Sequence, residues 1–292
     1  MRSDEGVYLV DGPVLIAEAI AAGVEIETVY VEPDALDHPT VWSARDAGLR
    51  IRDTTGGALA KVLDLDAPQH MVAVAAQRRS TFAELIDSSL LAARPVLVLA
   101  GLADPGNVGT LVRVAEAAGC AGVVLGPGTA DVHNPKTVRA TAGALFRVPL
   151  APVDDLPAAL HELVGAGLTV VATVGGTAAP APESVDLTGA VAVVIGNEAH
   201  GIDADVLEAC DATVRIPMDG AVESLNAGVA GAVVLFDAAR QRRALPVAPV
   251  HTELDGHTES DGHTESDDHT GSAVGNNVDP GDSRGTGEFG DG

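Results

Sequence analysis

The sequence predicts an α/β protein in two parts, a small α/β unit followed by a larger parallel-sheet unit, with an acidic tail. Three observations predict it. Short apolar, β-branched runs alternate with amphipathic helical stretches, the pattern of strands joined by crossover helices. The run Pro95-Val96-Leu97-Val98-Leu99-Ala100 is apolar without alternation, as a strand covered on both faces must be. Beyond residue 245 apolar residues become rare, so no core can form there.

Elements follow in chain order. Tyr8-Leu9-Val10 reads as a strand, and Pro13 fits the first position of a helix to about Ala22, with Leu15, Ile16, Ala19 and Ile20 on one stripe. Ile26 to Val31 is a second strand and Thr40 to Ala47 a short helix. Thr54 and Thr55 are placed to cap a helix through Leu63, and Met71 to Ala76 closes the unit as a strand. Thr81 to Leu91 reads as a connecting helix. Further strands are expected at Pro95–Ala100, Gly122–Leu125, Thr169–Thr173, Val191–Ile195 and Thr213–Ile216. Helical patterns lie near Val108–Ala118, Pro135–Ala142 and Leu156–Ala166. The last helix, Asn226 to about Arg243, is rich in Ala, Gly and Val, so something packs closely on its backbone. The expected divisions are 1–76, a linker 77–94, 95–245, and a tail 246–292. That tail repeats His-Thr-Glu from His251, His257 and His263 and is expected to be disordered, with no metal site.

Composition limits function. Aromatics make up 2% of 292 residues, leaving few platforms for stacking unpaired bases. The net charge of −25 by itself favours an acidic enzyme without a polyanionic partner. The tail holds 11 acidic residues and one Arg, so 31 acidic and 16 basic residues remain elsewhere. A nucleic-acid enzyme with that balance must gather its Arg on one face. Cys120 and Cys210 sit among small or apolar residues and show neither metal spacing nor a disulfide framework. No signal segment or membrane-length apolar run is evident, and a cytoplasmic location is expected.

Three segments carry chemistry. In Gly101-Leu102-Ala103-Asp104-Pro105-Gly106-Asn107-Val108-Gly109 a strand ends in a Gly-rich turn that opens a helix. This could cradle a phosphate, but the glycine spacing does not fit a dinucleotide fold, and no acid closes the next strand. Asn107 stands at the expected helix start as a cap or ligand contact, and Arg113, nearly two turns on, is expected to lean toward a similar face. The second segment, Val193-Val194-Ile195-Gly196-Asn197-Glu198-Ala199-His200-Gly201, leaves a strand into a loop whose one acid is Glu198. The third, Ile216-Pro217-Met218 through Ser224-Leu225-Asn226, opens the last helix, where Ser224 and Asn226 are good caps. Lys136, Arg139 and Arg147 add cations suited to a phosphate-contacting edge.

Together these segments resemble the three motifs of the SpoU/TrmH family, which methylates RNA ribose 2′-hydroxyls with S-adenosylmethionine. Tyr8 to Pro13 and Ala67 to Val74 resemble the L30e-like substrate-binding domain that precedes many such enzymes. The resemblance implies a SPOUT domain with a C-terminal trefoil knot and a homodimer with its active site across the interface. It implies Asn107, Arg113, Glu198, Ser224 and Asn226 as catalytic residues. Thr173, Gly175, Gly196, Ile216, Met218 and Leu225 would bind the cofactor, and Lys136, Arg139 and Arg147 the RNA. Ribosomal RNA is favoured over transfer RNA; an oxidoreductase using NAD and a catalytically silent RNA-binding factor remain alternatives.

Overall fold

The computed structural model describes residues 6–63, 69–176, 178–222 and 224–245. The acidic tail and Ala67-Pro68 of the second N-terminal motif lie outside the described residues. The first part runs β1 (Val7–Asp11), α1 (Pro13–Ala21), β2 (Ile26–Val31), α2 (Pro39–Asp46), β3 (Ile51–Asp53), α3 (Ala58–Leu63) and β4 (Met71–Ala76). Its sheet has the order β1-β4-β2-β3, with β4 antiparallel to both neighbours and β3 parallel to β2. Pro13 opens α1 as expected, and Leu15, Ile16 and Ala19 are buried. Thr54 does not cap α3: its hydroxyl donates to the Val31 carbonyl at 3.2 Å. What holds the start of α3 is the buried carboxylate of Glu32, which accepts the Leu59 amide at 2.9 Å and lies 2.8 Å from His70 Nδ1. The His70 contact, then the Leu59 amide, holds that carboxyl below the usual carboxylate range.

After α4 (Phe82–Ala92), closed at its start by a Thr81–Glu84 capping box, the second part runs through ten elements. They are β5 (Val96–Ala100), α5 (Pro105–Ala118), β6 (Gly122–Leu125), α6 (Pro135–Ala140), β7 (Leu150–Pro152), α7 (Leu156–Ala166), β8 (Thr169–Thr173), β9 (Val191–Gly196), α8 (Ala204–Glu208) and β10 (Ala212–Val214). The helix α9 (Ala227–Ala244) completes the described chain. The sheet is parallel throughout, in the order β10-β8-β9-β5-β6-β7. Both faces are covered. Leu97 and Leu99 join residues of α5 and α9 in one apolar cluster, while Val96 and Val98 join Leu85 of α4 and Leu160 of α7 in another. This double cover is why β5 reads as an unbroken apolar run.

The expected closeness around the last helix is real. A Cβ at Gly231 would sit 2.3 Å from Leu111 Cδ2, and one at Gly228 would sit 3.2 Å from Thr110 Cγ2. The glycines of α9 therefore let it lie directly on α5. Two strands were not foreseen, β3 and β7; each has three residues.

The strand order places the functional site. From β5 the chain steps outward through β6 and β7, then crosses to the other side for β8, and β9 returns between β8 and β5. The carboxyl ends of β5, β8 and β9 thus flank a reversal of strand order, where open parallel sheets form ligand crevices.

Candidate functional site

The loops after β8, β9 and β10 and the start of α9 converge on a cavity of about 560 Å³, well inside the range of about 300–1,000 Å³ for small-molecule sites. All six residues expected to bind the cofactor line it: Thr173, Gly175, Gly196, Ile216, Met218 and Leu225. Glu198, Ser224 and Asn226 line it as well. The Thr173 hydroxyl is buried with no hydrogen-bond partner among the described residues, a state that a polar ligand would relieve. A Cβ at Gly175 or Gly176 would meet nothing within 4 Å, so that loop presents bare backbone to open space. Gly196 is different. A Cβ there would lie 2.5 Å from the Gly201 backbone, so the tight turn Asn197–Gly201 itself demands the glycine, before any ligand does.

Three polar side chains from three distant segments form one chain of hydrogen bonds at this cavity. Asn226 caps α9, its Oδ1 accepting the amides of Gly228 at 2.9 Å and Val229 at 3.3 Å. That capping fixes which end of the amide faces inward, so Asn226 Nδ2 donates to Asn107 Oδ1 at 2.8 Å. Asn107 must then donate onward, and its Nδ2 meets Glu198 Oε1 at 2.8 Å. Glu198 also accepts the backbone amides of Ala103 at 3.3 Å and Asp104 at 3.4 Å. Partial burial alone would raise the Glu198 carboxyl, but the hydrogen bond from Asn107 and the backbone amides together bring it below its ordinary value. An ionised carboxylate accepts only, so the whole chain has one direction.

Asn107 is free for this because it is not the cap of α5. Asp104 is, its Oδ1 accepting the Asn107 amide at 2.8 Å, and the helix starts at Pro105, three residues before Val108 where the pattern had placed it. Asn197 was missed by sequence reasoning. Its Nδ2 donates to the Gly101 carbonyl at 2.7 Å and its Oδ1 accepts the Ala199 amide at 2.8 Å, tying the β9 loop to the β5 turn. An Asn directly after a strand and before a Gly-containing loop was the available signal.

Arg113 is not brought into this network. Six residues turn a helix by about 600°, leaving Arg113 about 120° around from Asn107 rather than on a similar face. It is exposed, lines no part of the cavity, and makes no ion pair among the described residues. His200 is exposed and does not line the cavity. The three expected phosphate-contacting cations are all matched with carboxylates. Lys136 Nζ lies 3.5 Å from Asp104 and Arg139 Nη1 3.3 Å from Asp11. Arg147 lies between Glu116 and Glu18, 2.8 Å from the latter.

Cys120 is buried, its thiol pushed up to about 12 by burial, and Cys210 is half-buried, its thiol pushed up to about 11 chiefly by burial. Both fit their reading as small hydrophobes. Among the described residues no group of three or more His, Cys, Asp or Glu could hold a metal, and no helix is long and apolar enough to cross a membrane.

Fold and site together define a parallel-sheet α/β protein with a cavity of small-molecule size at the switch point of its sheet, beside a directed polar network. Comparison with known proteins then identifies the family. The SpoU rRNA Methylase family matches residues 94–236, and an MRM3-like substrate binding domain matches residues 1–73. The chain is 32% identical over 235 residues to the 23S rRNA (guanosine(2553)-2′-O)-methyltransferase RlmP of Bacillus subtilis, covering 80% of this chain and 89% of that protein. It is 34% identical to the 23S rRNA (guanosine-2′-O-)-methyltransferase RlmB of Ralstonia nicotianae, over 76% of this chain and 90% of that protein. Among solved structures, the AdoMet-bound rRNA methyltransferase from Sinorhizobium meliloti superposes with a TM-score of 0.71 at 28% identity, covering 84% of this chain and 90% of the other. The chain belongs to the SpoU rRNA methylase family.

Proposed function

We propose that this chain is an S-adenosylmethionine-dependent methyltransferase acting on a ribose 2′-hydroxyl of RNA, with 23S ribosomal RNA as its substrate. The observation that carries the reading is the cavity with Asn107, Glu198 and Asn226 joined at it. The family membership and the relatives' 23S rRNA activities support the substrate class. The cavity suits the cofactor: the unpaired Thr173 hydroxyl and the bare backbone at Gly175 offer it polar partners, while Ile216, Met218 and Leu225 offer apolar ones.

The cofactor supplies an electrophilic methyl group on a sulfonium. The protein must align a ribose oxygen with that carbon and deal with a weakly acidic hydroxyl proton. Asn107, Glu198, Ser224 and Asn226 hold the ribose, with the orientation of both Asn amides set in advance by the α9 cap and the Glu198 carboxylate. Arg113 supplies the cation that orients and polarises the 2′-hydroxyl and its neighbouring phosphate; a guanidinium keeps its proton under ordinary conditions.

Because Arg113 is exposed and does not line the cavity of its own chain, the active unit is a homodimer in which it serves the other copy. Val229, Val233 and Phe236, spaced along one side of α9, are 50%, 41% and 44% exposed, an apolar stripe that a second copy would cover. Residues 1–76 engage RNA, 77–94 link, and 95–245 carry the transfer chemistry, the final segment passing through a preceding loop as a trefoil knot. The enzyme works in the cytoplasm.

The test is transfer of tritiated methyl from S-adenosylmethionine to in vitro transcribed 23S rRNA, with the 2′-O-methyl position mapped. Gly175→Val, which fills open space in the cavity, should abolish both cofactor binding and labelling. Labelling of transfer RNA instead would overturn the substrate. Cofactor binding without transfer to any RNA would overturn the activity.

A further inference from the structure

The match of Arg139 with Asp11 of β1, and of Arg147 with Glu18 of α1, has a functional meaning. Asp11 ends β1 with its side chain only 4% exposed, yet its partner across the junction is Arg139, 128 residues away in sequence. The local backbone presents that carboxylate. Gly12 has φ of 93°, and a Cβ there would lie 2.5 Å from Gln69 Oε1, while the Gln69 amide lies 3.5 Å from Asp11 Oδ1. Glu18 of α1 meets Arg147 at 2.8 Å, and Tyr8 of β1 meets His133 with ring centroids 4.7 Å apart. A charge removed from water is a costly adhesive compared with apolar contact, but it is strict about geometry.

From Arg139 the connection to the reaction site is short and stiff. Arg139 lies on α6, and the next residue, Ala140, abuts α5 so closely that a Cβ at Gly109 would fall 2.5 Å from its Cβ. Thr137 O, also on α6, would be 2.7 Å from that Cβ. Gly109 is two residues from Asn107. At the other end of α6, Lys136 pairs with Asp104, the cap that frees the Asn107 side chain.

We propose that the Asp11–Arg139 pair, seconded by Glu18–Arg147, is a positioning device: it fixes the first domain on α6, and so sets where RNA held by that domain meets Asn107 and Glu198. This rests on the methyltransferase reading. Arg139 and Arg147 then serve RNA by registering it, without touching it. The arrangement also eases the charge problem, since a rigidly docked capture domain aligns its RNA without a continuous basic track.

The experiment uses full-length Asp11→Asn, Arg139→Gln, their double variant and Arg147→Gln, on in vitro transcribed 23S rRNA at saturating S-adenosylmethionine. Parental activity on this RNA is a precondition, and its absence would fail the methyltransferase reading, not this one. Unchanged cofactor affinity in each variant separates a positioning loss from misfolding. Asp11→Asn and Arg139→Gln should each lower single-turnover kcat about tenfold or more, with RNA KM changed less than threefold. The double variant should be no worse than either single. Methyl groups should spread to neighbouring nucleotides, and Arg147→Gln should give a weaker form of the same phenotype. Should Arg139→Gln weaken RNA binding and flatten its salt dependence while Asp11→Asn does neither, Arg139 is a phosphate ligand and the proposal is overturned. Multiplying losses in the double variant would overturn it too.

Discussion

Replacing Glu198 by Gln tests the directed network most directly, because the substitution keeps shape while removing the charge and exchanging one acceptor oxygen for a donor NH₂. The carboxylate receives three donors, Asn107 Nδ2 at 2.8 Å and the amides of Ala103 and Asp104 at 3.3 and 3.4 Å. A Gln can satisfy one side only. If its oxygen stays toward Asn107, its NH₂ faces the Ala103 amide, donor against donor. If it turns, Asn107 loses its acceptor and can recover one only by flipping, which breaks the bond from Asn226. Hydrogen bonds to charged groups are worth about 1.5–3 kcal/mol when buried. Here the site is open to water, and we expect about 1 kcal/mol of stability, or a Tm lower by about 2–4 °C for a chain of this size. The kinetic effect should be larger. Misplacement by about 1 Å can cost on the order of a hundredfold in rate, and either rearrangement moves Asn107 or the β5 turn. Single-turnover methylation with RNA and cofactor saturating should therefore fall between tenfold and a hundredfold, with cofactor affinity nearly unchanged. A loss below about twofold would refute the network as an aligning device, leaving it a structural tie between loops.

Other outcomes follow from the same geometry. Arg113→Ala should reduce methyl transfer by a hundredfold or more, about 3 kcal/mol in the transition state, while Tm and cofactor binding hold; single-turnover rates check this, and Arg113→Lys should rescue poorly because an ammonium lacks the planar fork. Gly109→Ala gains about 1 kcal/mol of helix propensity but places a Cβ 2.7 Å from a backbone carbonyl of α6. Overpacking of about 1–3 kcal/mol should win, so thermal melting should show a lower Tm, and a higher one would show that α6 yields. His133 is half-buried beside Asp131, with Tyr8 and Arg79 near it, and burial, opposed by Asp131 and aided by Arg79, holds its pKa below the ordinary 6.5. The unfolded chain then takes up the proton first, so this contribution to stability is complete above pH 6.5 and is lost as pH falls through the folded value. Urea melts at pH 7.5 and 5.5 should show the loss, and His133→Phe should shrink the difference.

Much of this was legible in the sequence because local and global signals agreed. The β5 run announced a strand covered on both faces, and the Gly residues of α9 announced a close neighbour, which is α5. What failed, failed for physical reasons. The strands β3 and β7 are too short to show periodicity. The start of α5 was displaced because Asn107 looked like a cap, although Asp104 followed by Pro105 is the stronger helix-start signal. Nearly two turns suggests a similar face for Arg113 and Asn107, but at 100° per residue the two stand about 120° apart. The pairings of Arg139 with Asp11 and of Arg147 with Glu18 could not be read at all, since these partners lie more than a hundred residues away and only tertiary structure joins them. Within the site, the residue types were evident from the motifs; the direction of their hydrogen bonds was not.

That direction has a consequence for when activity begins. Asn226 can aim its NH₂ at Asn107 only while its oxygen is held by the first turn of α9, so winding the last helix and orienting the site are one event. During synthesis, domains fold roughly in order from the amino end, and the first domain is complete long before residue 244 is made. A nascent chain would therefore form its first sheet early and its hydrogen-bonded site late. The last helix thus couples the orientation of the site to the synthesis of residues 226–244.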